Sequence, residues 1–175
     1  MNYATIKWYD IANGEGVRIS LFVSGCTHHC KNCFNQVAWD FHYGEPFDEG
    51  IQRKLLEELA SPFIAGLSLL GGEPFEPQNQ AALLPFLKEV KRRFPEKPIW
   101  CYTGFVLDEE RGVLKEKEKN TPYTEELISL LDVLIDGPYI DELYDIRLKF
   151  RGSSNQRVID VQKTLKEKRC VLYLE

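Results

Sequence analysis

No apolar run in this chain approaches the roughly 20 residues that a membrane-spanning helix needs, and no segment is repeated or of low complexity. Residues Met1 to Trp8 lack the basic-then-apolar order of a secretory leader. A cytoplasmic protein with no membrane partner is therefore expected. Positive charge is in deficit: 22 lysines and arginines face 27 acidic residues, a net charge of −5. Nucleic-acid-binding domains normally carry a basic footprint, so no nucleic-acid partner is expected, while a protein partner stays open. At 175 residues the chain is too short for two ordinary domains. It is also short of the about 250 residues of a closed eight-unit α/β barrel. Nor do its five cysteines form an even, spread disulfide framework.

What is present is a core-forming composition, 43% hydrophobic, arranged as short apolar runs alternating with helical patterns. Arg18–Val23, Leu67–Leu70, Pro98–Tyr102 and Val133–Ile135 read as strands, with Arg157–Val161 and Cys170–Leu174 as two more. Helical periodicity covers 49–60, 79–93 and 122–131, the last with Thr121 as N-cap and Pro122 at the first helical position. Pro85 conflicts with its helix, which must either kink there or begin near Leu84. The charged segment 105–121 reads as a solvated insertion. Strand–helix alternation implies parallel strands covered by helices. The expected fold is α/β, an incomplete, laterally open barrel of about five to six mainly parallel strands in one domain over 1–175. In such folds ligands collect at the C-terminal strand edge. Cys26, Gly71-Gly72-Glu73-Pro74, Thr103-Gly104 and Asp136-Gly137 each follow a strand, and so converge there.

Three cysteines fall within eight residues, Cys26-Thr27-His28-His29-Cys30-Lys31-Asn32-Cys33. Thiolates are soft ligands for zinc, copper(I) or iron–sulfur clusters. Three thiolates hold three corners of a 4Fe-4S cluster and leave one iron open to a substrate, whereas structural clusters take four cysteines. On spacing alone a Cys3His zinc site using His28 or His29 stays open. So does an electron carrier with Cys101 or Cys170 as fourth ligand. Both of those cysteines alternate with apolar residues and also read as core.

The cysteine motif after the first strand, with Gly-Gly-Glu-Pro after the second, resembles the radical S-adenosylmethionine superfamily. Asp10 to Arg18, Leu21 to Cys26, Cys33-Phe34-Asn35, Asp136-Gly137 and Arg151-Gly152-Ser153-Ser154-Asn155-Gln156 resemble the activating proteins of the anaerobic (class III) ribonucleoside-triphosphate reductase. The resemblance spans nearly the whole chain. It implies a 4Fe-4S cluster on Cys26, Cys30 and Cys33, and S-adenosylmethionine as second cofactor. Gly71, Gly72 and Glu73 then receive the methionine end, with close backbone approach expected at Gly72. Asn32, Cys33 and Phe34 lie against the nucleoside, and Thr103 and Asp136 are candidates for ribose or partner contacts. The implied reaction is reductive cleavage of S-adenosylmethionine to a 5′-deoxyadenosyl radical, which generates a glycyl radical on the large reductase chain. A flavodoxin or ferredoxin is the implied electron donor. Another glycyl-radical enzyme, such as pyruvate formate-lyase, is the alternative partner. Asn32 stands where most of the superfamily has an aromatic. No role follows for Arg151 to Gln156.

Overall fold

The six residues of strand β2 (Arg18–Val23) are all buried, which places it inside a sheet covered on both faces. The computed structural model, which describes residues 1–175, pairs it in parallel with β4 (Gly66–Gly71). β4 pairs in parallel with β5 (Ile99–Tyr102), and β5 with β8 (Val133–Asp136). These are four of the strands read from the sequence. The sheet is nonetheless larger than expected, and mixed. β1 (Asn2–Asp10) lies antiparallel to β2, and β3 (Glu45–Pro46) antiparallel to β1. At the other side β9 (Arg157–Asp160) and β10 (Leu172–Leu174) also run antiparallel. The order is β10-β9-β8-β5-β4-β2-β1-β3, eight strands rather than five or six, with β10 and β3 as unpaired ends. β1 escaped the sequence reading because it carries polar residues along a half-covered strand, which leaves no continuous apolar run.

Helices cover one face. Ile19, Leu21, Leu67, Leu69, Ile99, Cys101 and Leu134 share one core with α1 (Glu49–Leu59), α2 (Pro77–Arg93) and α3 (Thr124–Ser129). Asp48 starts α1 by accepting the Ile51 N–H at 3.0 Å. α2 runs from Pro77 through Pro85, so it does not begin near Leu84. Pro85 lies on the exposed side, where water can serve the carbonyl that it leaves unbonded. α3 begins later than expected, at Thr124, yet the Thr121 hydroxyl still makes the N-cap bond by accepting the Tyr123 N–H, and it donates to Gln80. The last helix, α4 (Val161–Glu167), links β9 to β10.

The opposite face carries no helix. Trp100, Val133, Ile135 and Val158 form a smaller cluster there, with Tyr102, Phe150 and Leu174 against it. Segments 11–17 and 137–156 cross that face as irregular chain, apart from one 3-10 turn at Asp141–Leu143. Arg18 is fully buried there, and its guanidinium donates to Ser68 Oγ and to the carbonyls of Glu15, Leu67 and Pro98. The charged segment 105–121 is not simply solvated. It forms a hairpin of β6 (Leu107–Asp108) and β7 (Val113–Leu114) that buries Phe105, Leu107 and Leu114 in the main core and turns Glu110 and Arg111 outward.

Candidate active site

Because β2, β4, β5 and β8 are parallel, the loops after them meet at one edge, as the sequence implied. The loop after β2 folds back on the segment at 36–39. Gly25 N–H donates to Ala38 O at 2.7 Å, and Cys26 N–H to Trp39 O at 3.3 Å. His29 (φ +52°) and Asn32 (φ +59°) adopt left-handed backbone within it. Asparagine tolerates that conformation better than a bulky aromatic, which gives the departure at Asn32 a backbone reason. Cys26, Cys30 and Cys33 all line one cavity of about 550 Å³. Cys26 is 8% exposed and the other two are half-buried.

Main-chain N–H groups face the three sulfurs. Asn35 N–H lies 3.4 Å from Cys33 Sγ, those of His28 and His29 address Cys26, and that of Tyr139 addresses Cys30. Burial pushes the Cys26 thiol up to about 12, against the pull of those N–H groups, and burial also raises Cys30. A metal centre displaces the protons of such thiols as it binds. No three His, Cys, Asp or Glu side chains converge on one point as ligands of a single ion would. Three cysteines that line one cavity suit an iron–sulfur cluster. The residues present thus fit that group.

β4 ends in the glycine–glutamate turn. Gly71 has φ +112°, and a Cβ there would lie 2.5 Å from Val23 N. A Cβ on Gly72 would meet Gly25 O at 2.5 Å and Ala38 O at 2.8 Å. Main chain packed behind Gly72 is thus by itself a reason for glycine there, beside the expected ligand approach. Gly72 N–H donates to Val23 O and Glu73 N–H to Gly25 O, so the turn is hydrogen-bonded to the start of the cysteine loop. The Gly72 carbonyl accepts nothing from the protein.

Glu73 is 1% exposed. One carboxylate oxygen accepts from His28 Nε2 and Gly104 N–H, both at 2.7 Å, and the other from Phe75 N–H and Thr103 Oγ1, both at 2.8 Å. All its acceptor directions are used. It ties together the loops after β2, β4 and β5. Burial disfavours protonation of His28, but the bond to Glu73 and the charges of Glu73 and Glu76 together outweigh it and raise the histidine above its ordinary value. Three residues on, buried Glu76 accepts from Thr27 N–H and Oγ1 and pairs with Lys119 of the 105–121 segment at 3.0 Å.

Of the sequence-selected residues, Cys26, Asn32, Cys30, Cys33, Phe34, Gly71, Gly72, Glu73 and Thr103 line the cavity. Phe34 is 81% exposed at its mouth. Asp136 does not line it. Its carboxylate is taken by Arg157 at 2.6 and 2.9 Å and by Leu107 N–H at 2.8 Å, and neighbouring Gly137 borders the cavity instead. Neither Cys101 nor Cys170 reaches the cavity, so neither stands as a fourth ligand.

Sequence reasoning missed the far wall, made by Tyr139, Tyr144, Phe150, Arg151, Gly152 and Gln156, with Ala12 and Asn13 beneath. The motifs at 10–18 and 151–156 marked part of it without a role. Gln156 Oε1 receives the N–H groups of Gly152 and Ser153, and its amide donates to Gly137 O, which shapes that wall. Asn32 reaches Asp141 across the mouth at 3.1 Å. Trp39 and Tyr102 also line the cavity. Alternation in β5 could have found Tyr102, since it faces away from the helices that Cys101 faces.

A family model described as a 4Fe-4S single cluster domain matches residues 12–159. The chain is 45% identical over 158 residues to the anaerobic ribonucleoside-triphosphate reductase-activating protein of Haemophilus influenzae, covering 89% of this chain and 96% of that one. It is 37% identical over 160 residues to the protein of that name from Escherichia coli K12, covering 90% and 97%. The corresponding protein of Enterobacteria phage T4 is 37% identical over 158 residues, covering 90% and 93%.

Proposed function

This chain belongs to the family of anaerobic ribonucleoside-triphosphate reductase-activating proteins, and from that premise we propose that it is a radical S-adenosylmethionine enzyme that places a radical on a glycine of the large reductase chain. The observation that carries the reading is the count of thiols at the cavity: three, with Cys101 and Cys170 both outside it. Three ligands leave one metal corner for a substrate. Cys26, Cys30 and Cys33 would hold a 4Fe-4S cluster. Bound there, the cluster supplies one electron, drawn from a low-potential flavodoxin or ferredoxin, that breaks S-adenosylmethionine to methionine and a 5′-deoxyadenosyl radical, which takes a hydrogen atom from the glycine α-carbon.

The chain's own part is to seat, orient and exclude. At the glycine–glutamate turn the acceptor left for an ammonium group is the Gly72 carbonyl, since Glu73 is saturated. Glu73 and Thr103 hold the loops in place, as Asp136 does through Arg157. Asn32, Cys33 and Phe34 border the nucleoside. The helix-free face of the sheet acts as the inner wall of an incomplete barrel, open at the side, which the partner's glycine loop closes. The reaction belongs in an anaerobic cytoplasm.

The test is anaerobic reconstitution with the large reductase chain. A glycyl-radical EPR doublet should appear on that chain, and deuterium at the glycine α-carbon should pass to 5′-deoxyadenosine. Cys26→Ala, Cys30→Ala and Cys33→Ala should each abolish S-adenosylmethionine cleavage, while Cys101→Ser keeps its iron. Deuterium retained on the large chain would end the activator reading.

A further inference from the structure

One cation of the cavity has no counter-charge. Among the lining residues only His28 and Arg151 can carry positive charge, and His28 is held by Glu73. Arg151 keeps its charge at any working pH. Its guanidinium makes a single hydrogen bond, from Nη1 to the Gln156 carbonyl. The other N–H groups have no protein partner, and none of them is sealed from solvent. Glu73 is the one carboxylate in the lining, and its four donors already fill it.

The backbone is arranged around this side chain. Phe150 has φ +63°, an outlier for a bulky residue. Its ring lies edge-on to Trp100, 5.0 Å between centroids. Gly152 packs so near Tyr139 that a Cβ would meet the ring at 3.0 Å. Gln156 braces the turn by accepting the N–H groups of Gly152 and Ser153. Between these two fixed neighbours Arg151 lines the cavity. Backbone strain of this kind gathers at ligand sites.

The group that fits is a carboxylate, whose two oxygens match the planar fork of a guanidinium. Two bodies bring one here under the radical-transfer reading above, on which this inference rests. The methionine end of S-adenosylmethionine carries an ammonium group, for which the Gly72 carbonyl is free, and a carboxylate, for which the cavity holds no other free cation. An inserted peptide brings a carboxylate on any acidic side chain near its glycine. We propose that Arg151 is the carboxylate-binding residue of the cavity, which gives the 151–156 motif its role: one arginine that binds and a glutamine that holds its turn.

The experiment compares Arg151→Gln and Arg151→Lys with the parent, all with reconstituted cluster. Parent-like iron content and melting temperature check the fold. Affinities for S-adenosylmethionine and for its decarboxylated form are measured by anaerobic equilibrium dialysis without partner, and KM for the large reductase chain in the complete reaction. If the methionine supplies the carboxylate, Arg151→Gln weakens S-adenosylmethionine about tenfold and leaves the decarboxylated form unchanged, while Arg151→Lys recovers part of the loss. If the peptide supplies it, both affinities stay at the parent value and KM for the large chain rises about tenfold, less in Arg151→Lys. Parent-like affinities together with a parent-like KM in Arg151→Gln overturn the proposal. So does an equal loss for the two nucleosides, which would make Arg151 a shaper of the wall rather than a carboxylate receptor. A parent protein that does not bind S-adenosylmethionine overturns the underlying reading, and the proposal with it.

Discussion

Glu73 accepts four hydrogen bonds from four residues, and at least one main-chain N–H faces each of its oxygens. An amide in its place turns an NH2 donor onto one of those N–H groups, whichever way it is flipped. Glu73→Gln should therefore cost about 2–3 kcal/mol, measured as the shift of the urea unfolding midpoint. Asp10 plays a similar part on the helix-free face, accepting from Ser20 Oγ, Ala12 N–H and Asn13 Nδ2. Burial acts to raise its pKa, but those donors win and hold the carboxyl below the ordinary aspartate range. Its contribution is thus complete above the unfolded value, about 3.9, and fades as pH falls through the lower folded value. The stability gap between parent and Asp10→Asn should be wide at about pH 6 and narrow by about pH 2, as followed by urea unfolding at each pH. From the sequence, Glu73 could be singled out but not the saturation of its oxygens. That depends on His28, Thr103 and Gly104, brought together only by the parallel strands.

Elements were legible where a single period dominates. β2, β4, β5 and β8 are near-continuous apolar runs, because a strand covered on both faces has no polar side to show. α1 and α2 show their stripes of leucine. The antiparallel flanks were harder: β1 alternates weakly, and β3 is two residues long. The 105–121 hairpin misled through composition. Its charges are real, but Phe105, Leu107 and Leu114 anchor it, and Lys119 reaches across to buried Glu76, which in turn holds Thr27 beside Cys26. Lys119→Met removes that cation while leaving the carboxylate buried, at an expected cost of about 2–3 kcal/mol. Because Thr27 adjoins a cluster ligand, the same variant should surrender iron to a chelator several-fold faster, read from the decay of its visible absorbance.

At the scale of the whole molecule the sheet has one armoured face and one face crossed chiefly by irregular chain. The loops at 28–35 and 139–152 stand on either side of the cavity mouth. Adding the large reductase chain should slow amide hydrogen exchange in both, and leave α1, on the far face, unchanged. The far wall was the least legible part of the site, because irregular chain has no period and Tyr144 or Phe150 acquires a neighbour only through the finished fold. The order of synthesis adds a consequence. The cysteine loop is made before residues 137–156, with about a hundred residues between them. At 5–20 residues per second, roughly ten seconds separate them on the ribosome. During that interval the three thiols have no opposing wall, so a nascent chain presents its most oxidisable groups before the structure that shelters them exists.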